Sequence, residues 1–217
     1  IRPARSRTSG EYLGRLRFLS MGSILYRVGA SEKPGAVHPL EYPMVPKGLV
    51  VVPTTTGPVQ VLGLAKEDLA LRRSTVCINL TPKPAGIDAA YNEFVNAPGG
   101  LIEKLFGHNR FRIDVSGAID AGDSWQLAFL LAHALAAAGR LATRNEDADL
   151  LVWATGAVRA DLAVTQVGEV AQKLRLSEDL LRNSVGDIKA HIFVPEGNAE
   201  AFAERRKLGT IDGHPNI

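Results

Sequence analysis

Residues 110–139 read Arg110-Phe111-Arg112-Ile113-Asp114-Val115-Ser116-Gly117-Ala118-Ile119-Asp120-Ala121-Gly122-Asp123-Ser124-Trp125-Gln126-Leu127-Ala128-Phe129-Leu130-Leu131-Ala132-His133-Ala134-Leu135-Ala136-Ala137-Ala138-Gly139. Phe111 to Val115 alternates apolar and polar, the period of a half-buried strand. Ser116 to Asp123 is rich in Gly and Asp and reads as a loop. Ser124 to Ala138 is apolar on nearly every side, which marks a buried helix, and Gly139 stops it. Asp123 is a good N-cap, and Gln126 three residues later completes a capping-box pattern.

Working outward, Leu49 to Val52 is a short β-branched run and predicts a strand. Pro53 to Pro58 makes a turn, and Val59 to Leu64 returns as the second strand of a hairpin. Thr75 to Leu80 predicts a third strand, closed by Pro82, Pro84 and Gly86. Ile87 to Val95 and Leu101 to Phe106 carry helical patterns separated by Pro98-Gly99-Gly100. Downstream, Leu150–Trp153 and Leu162–Gln166 read as strands, and Ser177 caps a helix over Glu178–Ser184 that Gly186 ends. Ile188–Val194 is a late strand, and residues from Asn198 form a terminal helix and tail. Mixed elements with locally paired early strands give an α+β class, sheets with packed helices.

Residues 1–47 lack a clean period and hold many Gly and Pro, so they read as a basic arm or linker, ordered in part near Tyr12–Leu19. Residues 48–205 form the folded domain, and 206–217 a tail. Seven Lys or Arg against three Glu in residues 1–45 give that segment +4, leaving −2 for the remainder of a +2 chain. A basic head can touch nucleic acid or an acidic partner, or it can be a solvated linker. The net charge gives no global reason to expect nucleic acid. The single cysteine, Cys77, excludes an intrachain disulfide and fits a reducing, cytoplasmic setting. It reads as a core thiol. No Cys/His cluster has metal-ligand spacing, no cofactor motif stands out, and no apolar run is long enough to span a bilayer. The chain begins with Ile1, not Met, which is read as an excised fragment or processed product.

Ser124 follows Gly122-Asp123 at the first turn of the buried helix. Free backbone N–H groups and a positive partial charge gather there, so a serine at this point can attack a carbonyl and have the resulting oxyanion held. Ser and Asp are equally ordinary cap residues. No histidine pairs with Ser124 by any sequence rule: His38 and His214 lie near the ends, His108 in a loop, His133 well up the buried helix as a core residue, and His191 in a strand. A lysine whose burial leaves it neutral can serve instead.

The stretch 110–115, the short loop and Gly122-Asp123-Ser124 resemble the strand, loop and Gly-Pro-Ser-Ala-Gly nucleophile turn of the Lon protease family. Thr155-Gly156 is similar to that family's Thr-Gly-Glu. Val167-Gly168-Glu169-Val170-Ala171-Gln172-Lys173-Leu174 is similar to its Ile-Gly-Gly-Leu-Lys-Glu-Lys-Leu. Ile188 to Pro195 resembles its Ile-Lys-Thr-Val-Leu-Ile-Pro strand, and Gly63-Leu64-Ala65 a Gly-Leu-Ala in its first hairpin. The resemblance covers about residues 48–205 and rests on the order and spacing of these motifs.

It implies a Lon proteolytic-domain-like fold, ribosomal S5 domain 2-like, and a serine endopeptidase with Ser124 as nucleophile and Lys173 as general base. Thr155 would hydrogen-bond and orient Lys173. The N–H of Ser124, with those of Gly122 or Asp123, would form the oxyanion hole. The substrate would be a protein or peptide, and the domain would self-associate into a homo-oligomer. No Gly-x-x-x-x-Gly-Lys-[Ser/Thr] loop occurs, so either an ATPase or regulatory domain would lie elsewhere in a longer polypeptide, or the enzyme would cleave accessible substrates without one.

The chain departs from the family in Asp123 for Pro, Trp125-Gln126 for Ala-Gly, Glu169 for the second Gly, Ala171 for a lysine, and an insertion at 143–149. Asp123 either pairs with Lys173, keeping it charged and a poor base, or caps the helix and faces solvent. Trp125 either narrows the substrate groove or fills a partner's pocket. The alternative to an active enzyme is a catalytically silent oligomerisation or scaffold domain. A small-molecule kinase of the same superfamily ranks last, because Asp120 and Asp123 would repel phosphate.

Overall fold

The computed structural model describes residues 46–96, 100–182 and 188–200. The predicted arm, its ordered piece near Tyr12–Leu19, the end of the 178–184 helix and the terminal helix and tail beyond residue 200 lie outside the described residues. The chain divides between Val45 and Pro46, and the described residues all belong to the second unit.

Among the described residues nine strands and five α-helices follow one another: β1 (Gly48–Pro53), β2 (Pro58–Lys66), β3 (Thr75–Ile78), α1 (Asp88–Val95), α2 (Leu101–Phe106), β4 (Phe111–Val115), α3 (Gln126–Ala137), β5 (Leu141–Ala142), β6 (Leu150–Ala154), β7 (Ala157–Val158), β8 (Val164–Thr165), α4 (Val170–Leu176), α5 (Glu178–Arg182) and β9 (Lys189–Phe193). A mixed sheet runs β3-β4-β2-β1-β6-β9, with β5 also beside β1. The β1–β2 hairpin and the β2–β4 pair are antiparallel, and β3–β4, β1–β6 and β6–β9 are parallel. β7 and β8 form a separate small hairpin. The α+β class describes this arrangement.

β1 is buried along its whole length. Its residues alternate between two helical layers, because successive side chains in a strand point to opposite faces. Gly48 lies under Leu135 of α3, and a Cβ there would meet Leu135 Cδ1 at 2.9 Å, so glycine lets the helix sit this low. Leu49 and Val51 point the other way, into a cluster with Leu151, Trp153, Val170 and Leu174. α4 therefore covers the face opposite α3. No helix among the described residues is long and apolar enough to cross a membrane.

Three expectations need correction. The third strand stops at Ile78, because Asn79 and Leu80 take positive φ angles of 52° and 59° and turn the chain. The strand expected over Leu162–Gln166 shrinks to Val164–Thr165, since Leu162 also sits at positive φ. The buried helix begins at Gln126, two residues later than Ser124. Gly122 (φ +110°) bends the loop first, and Trp125 is drawn into the core with its indole N–H donating to the Gly122 carbonyl. Asp123 to Gln126 therefore form a turn ahead of the helix.

Candidate active site

The Ser124 turn is held from beneath by aromatic packing. Trp125 is fully buried, with its ring centroid 5.4 Å from Phe94 and 5.2 Å from Phe129. It lines neither a groove nor a partner's pocket. From the side, the turn is clamped to the chain leaving β6. The Ser124 carbonyl accepts the Gly156 N–H at 2.9 Å and the Thr155 hydroxyl at 3.3 Å. Leu127 N–H donates back to the Gly156 carbonyl at 3.0 Å. A Cβ on Gly156 would lie 2.6 Å from Val164 Cγ1, so a glycine is required for the β7–β8 hairpin to close this tightly. Thr155, expected to orient Lys173, instead binds the backbone of Ser124. Its hydroxyl makes no bond to the lysine among the described residues.

Lys173 arrives from α4, on the far side of the sheet from α3. Val170 and Leu174 bury the helix, and Lys173 itself is only 4% exposed. Its Nζ donates to Ser124 Oγ at 3.0 Å. Ser177 fixes the last turn: its hydroxyl donates to the Lys173 carbonyl at 2.8 Å and accepts the Trp153 indole N–H at 2.9 Å. Before the helix, Asn198 brackets the chain, accepting the Val167 N–H and donating to the Val167 carbonyl. A buried lysine is thus held at both ends of a seven-residue helix.

Burial pushes the Lys173 ammonium below its ordinary value, because desolvation penalises the charged form. The charges of Asp120 and Glu169 act in the opposite direction. Asp120 is fixed in place by Thr55, whose N–H and hydroxyl both donate to Oδ2 at 2.7 Å. Gln172, next to the lysine, donates to the Thr55 carbonyl at 3.1 Å. The turn between β1 and β2 therefore forms a third wall of the site. The sequence assigns no role to Thr55 or Gln172, and Asp120 figures there only as an acid that would repel phosphate. Positions 65 and 117 residues apart meet here, and no local pattern encodes that meeting.

Asp123 is exposed, and its Oδ1 accepts the Gln126 side-chain N–H at 3.0 Å. The carboxylate faces solvent, as one of the two alternatives had it, but it does not cap the helix: Trp125 holds the N-cap position with no side-chain cap bond, and Asp123 binds the Gln126 side chain instead of a backbone N–H. The backbone N–H groups of Gly122, Asp123 and Ser124 donate to no acceptor among the described residues. They flank the half-buried Ser124 side chain. Chemically, the site offers a hydroxyl, a buried amine in contact with it, and adjacent unpaired donors. No group of three or more His, Cys, Asp or Glu among the described residues is placed to hold a metal ion.

The other buried base, His133, stands elsewhere. Its Nε2 contacts the Tyr91 hydroxyl at 3.0 Å, and its Nδ1 has no partner. The ring stacks with Phe106 and Tyr91 and meets Phe111 edge-on. His108 instead contacts the Glu67 carbonyl, and His191 sits in β9.

The chain matches no known family model, and no curated protein matches it.

Proposed function

We propose that the domain is a divergent Lon-like serine peptidase that hydrolyses peptide bonds with Ser124 and Lys173. The observation that carries this reading is the 3.0 Å contact between Lys173 Nζ and Ser124 Oγ, made by a lysine shielded from water. A neutral amine at that distance accepts the serine proton as Oγ attacks the scissile carbonyl. The tetrahedral oxyanion then sits against the unpaired N–H groups of Ser124 and Gly122 or Asp123. The Lys173 ammonium returns its proton to the leaving amine, and an acyl-enzyme on Ser124 remains. Water, deprotonated by the same amine, attacks the ester and frees the carboxylic acid.

In this reading the fold is a Lon proteolytic-domain-like, ribosomal S5 domain 2-like one. The enzyme works in the cytoplasm on accessible protein or peptide substrates, without ATP within this chain, as a homo-oligomer. The competing scaffold reading leans on Asp123, whose carboxylate would oppose the oxyanion or pair with Lys173. The Gln126–Asp123 bond speaks against the pairing. The test is cleavage of a casein-like substrate by the wild type, Ser124→Ala and Lys173→Ala. Activity in the first alone supports the dyad, and equal activity in all three contradicts it.

A further inference from the structure

Gln126 has a side-chain amide committed at both ends. Its Oε1 accepts the Val158 N–H at 2.8 Å, and its Nε2 donates to Asp123 Oδ1 at 3.0 Å. The orientation is forced by chemistry, because a backbone N–H only donates and a carboxylate only accepts. Val158 lies in β7, beside the Gly156 that clamps the Ser124 carbonyl. Gln126 thus ties the residue next to the nucleophile to the wall of the site.

The position of Asp123 gives this tie a purpose. Neighbouring Cα atoms are about 3.8 Å apart, and the Oγ of adjacent Ser124 is 3.0 Å from the lysine amine. A carboxylate released at position 123 would sit one residue from the serine that contacts that amine, beside the unpaired N–H donors. The acids whose charges favour the Lys173 ammonium as the site stands are Asp120, from the β4–α3 loop, and Glu169, just ahead of α4, while the Asp123 carboxylate is exposed and bonded to Gln126. A third acid would favour the ammonium and oppose an oxyanion.

We infer that Gln126 is a positioning residue that holds the Asp123 carboxylate away from the Ser124–Lys173 pair and so keeps the pair competent. The inference rests on the peptidase reading for its catalytic meaning, but its structural content is testable without turnover.

The experiment follows the Lys173 side chain by NMR titration of the full chain, together with kcat/KM against pH. Gln126→Glu keeps an acceptor for Val158 but sets a carboxylate against Asp123. Gln126→Met removes both bonds and adds no charge. Both should move the Lys173 titration to higher pH and lower kcat/KM at neutral pH by about tenfold, the loss of neutral amine that accompanies one pH unit. Adding Asp123→Asn to either should reverse both effects. In Gln126→Glu/Asp123→Asn the donor and acceptor are simply exchanged. An unmoved Lys173 titration in both single variants overturns the inference, as does failure of Asp123→Asn to reverse the change. A wild type that cleaves nothing bears on the dyad alone, because the Lys173 titration reads the effect of the Asp123 charge without turnover.

Discussion

Lys173 and His133 are both buried bases, and in both burial favours the neutral form. Their surroundings differ. His133 lies among Tyr91, Phe106 and Phe111, and its one polar contact is a hydroxyl that is itself fully buried. Burial raises the Tyr91 phenol well above its ordinary value, so that hydroxyl keeps its proton. The Lys173 contact is a serine on a half-buried turn with unpaired N–H groups beside it. Desolvation favours the neutral base in either place. What separates packing from chemistry is whether the hydroxyl that faces the base can also be reached by a carbonyl.

The largest expected effect breaks the comparison at its active side. Lys173→Met should lower kcat by about a thousandfold or more, in line with losing one member of a nucleophile–base set. His133→Leu should leave kcat within a few-fold. Steady-state cleavage at neutral pH measures both.

The next effect concerns stability. Burial pushes the His133 imidazole down to about 3 from an ordinary 6.5. Between those values the unfolded chain binds a proton that the folded one does not. Stability should therefore fall as pH drops below about 6.5, by about 1.4 kcal/mol per pH unit, and level off near 3. Denaturant unfolding across pH should show this slope, and His133→Leu should flatten it. Lys173 is the alkaline counterpart. Its folded value is also depressed, so stability should rise with pH from that value up to the ordinary lysine range, and Lys173→Met should remove the rise.

A smaller effect tests the aromatic cage itself. His133→Leu leaves the buried Tyr91 hydroxyl without its partner, at a cost of about 1–3 kcal/mol. Adding Tyr91→Phe should recover part of that loss in the same unfolding experiment. The smallest effect returns to the lysine. Glu169 precedes α4 in the left-handed region at φ 60°, where a side chain costs about 1 kcal/mol. Glu169→Gly should stabilise the protein by roughly that amount, and removing its charge should move the rising limb of kcat/KM to lower pH.

Much of this architecture is legible in the sequence where the signal is local. β1, β2, α1, α2 and β4 fall close to the apolar runs and glycine breaks that predict them, and Gly107 and Gly139 take the left-handed angles expected of helix stops. The Ser124–Lys173 pairing came from ordered motifs, since no rule of spacing joins residues 49 apart. The rest depends on tertiary contacts. α4 is too short for a clear period and exists because Ser177 and Trp153 anchor it. α3 starts at Gln126, after a turn in which Trp125 packs into the core. Thr155 binds the Ser124 carbonyl where the resemblance implied a bond to Lys173, and the neighbouring Gly156 leaves no room for a side chain against Val164.

The most direct test of the dyad is covalent labelling of the full chain with a serine-directed fluorophosphonate, mapped by mass spectrometry across pH. The account predicts one adduct at Ser124, forming faster as pH rises through a limb below the ordinary lysine range, and lost in Lys173→Met. No adduct at Ser124, or the same rate in Lys173→Met as in the wild type, would contradict it.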